Sequence, residues 1–360
     1  MTIAMARILY GVAGEGFGHC SRAHLIGQRL LDAGHDVMFV GFAKAPLYLR
    51  QVFGDRAREI LGLSFEYDHG RINRWKTFER NLLRFPRIVR CNRRFFREEV
   101  ERFGPDLVLS DFEPFSAWWA WRHGVPLVSV DNEHLLTHCR LDHLRRQAVS
   151  RLIAEAVTRC YAFHADAYVV LSFFDLPVKG RSVVLAPPVV RTKVNELQPT
   201  EGDYLMVYAS TGQGRDALLD VLDRFPRQRF TIYGFDIHAE RGNCVFKRRS
   251  TEGFLGDLAD SRGVIASAGF SLISECMALK KKMLLVPVAG QYEQFINARN
   301  VEKLRLGLWT RQLDPSAVSR FLEYLDHPPA AAPGILWPDN ERFFAVLQRT
   351  LGRMGANVTL

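Results

Sequence analysis

Two patterns of apolar residues alternate along this chain. Short unbroken runs (ARILYGV near the start, DVMFVG from Asp36, DLVLS from Asp106, PLVSV from Pro126, AYVVL from Ala167, SVVLA from Ser182) are separated by stretches whose apolar residues return at helical spacing. A short apolar run bounded by turn residues reads as a strand buried on both faces; SRAHLIGQRLLDAG, closed by Gly34, reads as an amphipathic helix. Strand, turn and helix in regular alternation imply a parallel sheet covered by helices. After a segment rich in proline and polar residues, Pro187 to Asp203, the pattern starts again. It runs through YLMVY, a helix from Arg215 to Phe225, RFTIYG, NCVFK, GVIAS and MLLVPV. The fold class is therefore α/β, with two doubly wound Rossmann-like domains facing each other across a cleft. Residues 1–190 form the first, 191–203 the linker, 204–335 the second, and 336–360 hold a closing helix, DNERFFAVLQRTL.

Size and composition agree with this. A chain of 360 residues is long for one core, and 48% hydrophobic with 24% charged residues describes a globular protein. The six cysteines are scattered without C-x-x-C spacing, which argues for reduced thiols and against zinc or a disulfide framework. The N-terminal apolar run is short and enters a Gly-rich turn, so it reads as a first strand rather than a leader peptide. No run approaches the roughly 20 apolar residues of a spanning helix, and a cytoplasmic location follows as the expectation. A net charge of +9 suits an anionic ligand, an acidic membrane surface or nucleic acid, without choosing. Between Arg71 and Phe103, arginines interleave with Trp75, Phe85, Phe95 and Phe96 over two expected helices. That segment is either a solvated helical face or a surface that lies peripherally on anionic membrane; no recognised nucleic-acid motif accompanies it.

Chemistry concentrates at three turns. Between Val264 and Ala298, VIAS closes on Ser267, Gly269 is free to take a positive φ, and Phe270, Ser271 and Leu272 would offer unpaired backbone N–H groups at a helix start. Such a terminus suits a phosphate or diphosphate, and Glu275 shares a helical face with Ser271, within reach of a sugar hydroxyl. The next loop, GQYEQFINA, places Gln291, Glu293, Gln294 and Asn297 around another helix start. The first turn, Gly14-Glu15-Gly16-Phe17-Gly18-His19, misses the third glycine of a dinucleotide fingerprint. The second strand also runs into GFAKAP without a ribose-binding acid, so a dehydrogenase ranks low. His19 is either a structural histidine or a general base working near neutral pH. Asp111 after DLVLS is either its partner or an N-cap for the helix near Pro114. Asp131, Asn132, Glu133 and His134 make a polar cluster at another strand end; with no second His/Asp cluster to converge on it, metal binding is not expected.

SAGFSLISE followed by VPVAGQYEQFINA, with G-x-G-x-x-H and Arg22 at the start, resembles GT-B nucleotide-sugar glycosyltransferases. The resemblance is to the group related to the N-acetylglucosaminyltransferase of peptidoglycan lipid-intermediate synthesis and to UDP-glucuronosyltransferase-like proteins. It covers nearly the whole chain. It implies a sugar transferred with inversion from a nucleotide diphosphate donor, UDP-linked by expectation, to an acceptor hydroxyl, with no metal or cofactor. The residues it implies are His19 as base and Asp111 as its support, with Glu113 in reserve. Ser210, Thr211 and Gly212 match a first phosphate loop, and Phe246 and Lys247 the nucleobase region, although Phe246 reads equally as core. Ser267, Gly269, Phe270, Ser271, Glu275, Gln291, Glu293 and Gln294 complete the donor site, and Gly16, Phe17, Glu113, Asn132, Glu133 and His134 would line the acceptor. The last helix is expected to cross back to the first domain. Lys280-Lys281-Lys282 departs from the family's Gly-Lys-Pro connection and reads as a solvated loop. A UDP-sugar 2-epimerase on the same fold and a non-catalytic nucleotide-sugar or glycan-binding module are the rival functions.

Overall fold

The computed structural model describes the chain except residues 1–4, 15, 64–66, 69–70, 73, 143–146, 163, 210–213, 249 and 357. It divides into two compact units: Met1–Phe65, Arg74–Val189 and Asp339–Leu360 in the first, Glu66–Asn73 and Val190–Pro338 in the second.

The first unit is built on a seven-stranded sheet. Its strands are β1 (Arg7–Val12), β2 (Asp36–Gly41), β3 (Ala57–Glu59), β6 (Leu107–Asp111), β7 (Leu127–Asp131), β8 (Ala167–Leu171) and β9 (Val183–Ala186); β4 (Tyr67–Asp68) and β5 (Arg71–Ile72) form a separate two-stranded sheet that counts with the second unit. The order is β3-β2-β1-β6-β7-β8-β9, and every pairing is parallel. Parallel strands covered on both faces must be apolar throughout, and β6, β7 and β8 are buried at every position. Chain order reverses between β1 and β6, where Val12 pairs with Asp111, and the carboxyl ends of strands at such a reversal are where open α/β sheets bind ligands.

The second unit repeats the plan. It contains β10 (Tyr204–Tyr208), β11 (Arg229–Tyr233), β12 (Ala239–Arg241), β13 (Cys244–Phe246), β14 (Gly263–Ala266), β15 (Met283–Leu285) and β16 (Gly307–Trp309), in the order β12-β13-β11-β10-β14-β15-β16. All pairings but β12 with β13 are parallel. Here the reversal falls between β10 and β14.

Three expectations need correction. The two helices between Arg71 and Phe103 are one continuous run: helix Arg74–Phe95 passes through a π turn at Phe96–Val100 into Glu101–Phe103. The stretch contains no glycine until Gly104, whose left-handed φ of 61° ends it. Part of the expected linker is helix, Thr192–Glu196, with Val190 and Val194 buried. The lysine run is not a solvated loop throughout, because Lys281 is buried and its Nζ donates to the carbonyls of Thr200 and Ser261. Burial draws that ammonium below the usual lysine range.

The closing helix, Asn340–Arg353, is part of the first unit and packs on β8 and β9. Asp339 caps it by accepting from the Arg342 amide, and Arg29 reaches Glu341 at 3.0 Å.

Candidate functional site

In the first unit the turn after β1 needs its glycines. A Cβ at Gly14 would lie 1.7 Å from the Phe42 carbonyl oxygen, and Gly16 has φ +100°, so side chains are excluded at both. Gly16 precedes the helix Phe17–Asp32, which puts His19 and Arg22 three residues apart on one face of its start. Asp111, at the end of the adjacent strand β6, meets both. His19 Nδ1 lies 2.6 Å from Asp111 Oδ1, Arg22 Nη2 donates to the same oxygen at 2.5 Å, and Arg22 Nε donates to Oδ2 at 2.6 Å. Arg22 also donates to Asn132 Oδ1 at 3.2 Å, and Glu133 Oε1 stands 3.6 Å from His19 Nε2. Asp111 is wholly buried, Arg22 nearly so, and the His19 side chain is 11% exposed. Burial alone would lower the imidazole's pKa. The carboxylates of Glu133 and then Asp111 outweigh it, so His19 holds its proton to higher pH than a free histidine. Burial raises Glu133 in turn. With Nδ1–H donated to Asp111, Nε2 is left to accept a proton.

Phe112, between Asp111 and Glu113, has φ 53°, a conformation costly for a bulky residue. Its ring stacks on Tyr161 at 4.4 Å with the planes 28° apart, and lies 6.4 Å from the His19 ring at 11°. No pattern in the sequence marks that strain.

Two residues expected to face an acceptor are committed elsewhere. Glu113 is fully buried and caps the helix Pro114–His123, its oxygens accepting from the amides of Phe115 at 2.8 Å and Ser116 at 2.7 Å. The N-cap at this turn is therefore Glu113 and not Asp111, and burial raises its pKa against those two bonds. His134 is 1% exposed and is held by Asp131, 2.7 Å from its Nδ1. Asn132 is buried and Glu133 partly exposed beside His19, while Gly16 is exposed. The Phe17 side chain lies outside the described residues.

In the second unit, Ser210, Thr211 and Gly212 lie outside the described residues. On the other side of the reversal, β14 leads through Ser267 to the helix Phe270–Ala278. Gly269 precedes that helix with φ −70° and ψ 132°, which corrects the expected positive φ: it enters as an extended N-cap, open to any residue. Gly269 itself brings no capping side chain, and the helix start lies at the sheet's carboxyl edge; Ser271 is partly exposed and Phe270 buried. Glu275 is 6% exposed and is clasped by Arg191, Nε to Oε1 at 2.7 Å and Nη2 to Oε2 at 2.9 Å. In the next loop Gln294 accepts from the Val288 amide at 3.0 Å and donates to Gln291, and Glu293 accepts from Asn297. Of the two readings open for Phe246, the side chain takes the core one: it is 3% exposed and edge-on to Phe235 at 5.8 Å. Lys247 is tied to both oxygens of Asp257, at 2.9 and 2.8 Å. Arg191 was missed altogether, since nothing local in the sequence joins it to a carboxylate 84 residues away.

Comparison with solved structures places this architecture. LpCGTa in complex with UDP aligns with a TM-score of 0.66 at 15% identity, covering 99% of this chain and 100% of that one. MurG of Acinetobacter baumannii aligns at 0.54 and 13%, covering 90% and 91%. At such identities the likeness defines the fold, which is GT-B: two Rossmann-like domains. An uncharacterized glycosyltransferase of Methanosarcina acetivorans is 24% identical over 331 residues, covering 82% of this chain and 83% of that protein. The model of glycosyl transferase family 1 matches residues 6–326, and the chain belongs to that family.

Proposed function

We propose that the protein transfers a sugar from a UDP-linked donor to an acceptor hydroxyl by a single displacement with inversion, using no metal ion. The observation that carries the reading is His19, held through Nδ1 by Asp111 at the strand reversal with Nε2 left over. His19 Nε2 takes the acceptor's hydroxyl proton. The acceptor oxygen bonds to the anomeric carbon as the bond to the diphosphate oxygen breaks, and UDP departs with that electron pair. The amides of Ser271 and Leu272, at the start of the helix Phe270–Ala278, meet the developing charge, and donors of that kind contribute on the order of 3 kcal/mol each. The UDP complex of LpCGTa supports the choice of nucleotide.

A screen of nucleotides and nucleotide sugars by thermal shift tests this. UDP or a UDP-sugar at a hundred times its dissociation constant should add about 2.7 kcal/mol of stability. A melting curve moved by another nucleotide and by no uridine compound would refute the donor.

The helix Arg74–Phe95 supports a peripheral contact with an anionic bilayer from the cytoplasmic side. It carries eight Arg and Lys against Glu79 alone, and Trp75, Leu82, Leu83, Phe85 and Val89 are exposed along it. Among the described residues no helix is long and apolar enough to cross a membrane. Sedimentation with phosphatidylglycerol vesicles, but not with phosphatidylcholine vesicles, is the expected result; equal recovery with both would count against the contact.

A further inference from the structure

Asp111 is the carboxylate that the His19 pairing brings to mind, yet its charge is already met. Arg22 binds both its oxygens, and the same Nη2 lies 3.1 Å from His19 Nδ1, so the cationic end of the pair stands nearly as close to the imidazole as the anionic end. A neutral pair at that distance exerts little net field on the ring, because the two Coulomb contributions oppose each other. The remaining neighbours can be taken in turn. Phe112, from the loop after β6, carries no charge. Asp131, at the end of β7, is bound to His134 and Ser129. Glu133, from the loop after β7, is different: Oε1 stands 3.6 Å from His19 Nε2 and Oε2 accepts the Asn132 amide at 3.2 Å, while the Arg22 charge acts on it only from a distance, its guanidinium being bound to Asp111.

We propose that Glu133, more than the arginine-clasped Asp111, supplies the net negative charge that stabilises protonated His19. Asp111 fixes the ring's tautomer and direction. Glu133 is then a positioning residue that sets the pH at which the base becomes available, and that offsets the imidazolium formed when a proton moves from an acceptor hydroxyl to Nε2. The inference deepens the reading of His19 as base, but the charge assignment is measurable without any transfer reaction.

The experiment is an NMR titration of the His19 imidazole in the full-length wild-type protein and in Glu133→Gln and Glu133→Asp. The Glu133 side chain is 16% exposed and caps no helix, and the oxygen of Gln or Asp can still accept the Asn132 amide, so both variants should keep the wild-type melting curve. The His19 midpoint should fall by about one pH unit in Glu133→Gln and return most of the way in Glu133→Asp. A midpoint that moves less than about 0.3 unit in Glu133→Gln would return the charge to Asp111 and overturn the proposal. Once a donor and acceptor are in hand, the rising limb of the transfer rate should move to lower pH by the same amount. A shifted midpoint with an unshifted rate profile would support the charge assignment while removing His19 as base.

Discussion

Asp111 and Glu275 each lie near the strand reversal of their own unit, and each is gripped at both oxygens by an arginine. The likeness ends at solvent. Asp111 is wholly buried and its Arg22 is 4% exposed, whereas the side chain of Glu275 is 8% and that of Arg191 20% exposed. A buried bidentate pair is costly to open, because either partner left alone is a charge without water. A pair at the edge of solvent can exchange one partner for a ligand. The first carboxylate therefore reads as fixed framework and the second as a replaceable contact, which suits a base that must not move and a nucleotide that must come and go.

The largest effect that separates the two is on stability. Asp111→Asn leaves the Arg22 guanidinium buried without a carboxylate and should cost about 3–5 kcal/mol by denaturant unfolding. A loss under about 1 kcal/mol would mean that Arg22 finds water and that the framework reading is wrong.

Asp131 sharpens the contrast, being equally buried but paired with a histidine. Burial pushes its carboxyl up, but His134, through its charge and hydrogen bonds, overrides that and holds it down at about 2. A depressed carboxylate stabilises the fold above its unfolded pKa, near 4, and that contribution is lost as pH falls through about 2. The expected loss is on the order of 2 kcal/mol between about pH 4 and 2, and it should vanish from the pH dependence of unfolding in Asp131→Asn. A slope of equal size in that variant would assign the acid sensitivity elsewhere.

Arg191→Met should cost the least, about 1–2 kcal/mol, since Arg191 is 20% exposed and water can take its place beside the carboxylate. If Glu275 receives a ribose hydroxyl, Glu275→Gln should weaken UDP binding about tenfold by calorimetry. Unchanged affinity would leave the pair a structural brace and erase the difference from Asp111.

The two sheets and the helix that starts after Gly269 were legible from apolar runs and glycine placement, because short-range pattern decides buried strands. The role of His19 came through resemblance, with spacing alone leaving it open. What stayed hidden depends on where distant segments meet. Arg22 and Asp111 are 89 residues apart, and Arg191 and Glu275 are 84 apart. Glu113 shows the opposite error, and Phe246 an ambiguity that only the fold resolves. A strand-end aromatic and a loop carboxylate look available in one dimension, but the folded chain uses the first to fill the core and the second to cap a helix. Lys281 follows the same rule, since the carbonyls that bury it come from Thr200 and Ser261.

The central claim is that the first unit supplies the base while the second holds the nucleotide. Comparing wild type with His19→Ala tests it most directly, by UDP calorimetry and by release of UDP from a UDP-sugar in the presence of an acceptor. The account predicts turnover reduced by about 10²–10⁴ with UDP affinity unchanged. Turnover at the wild-type rate, or UDP affinity that falls together with it, would contradict the account.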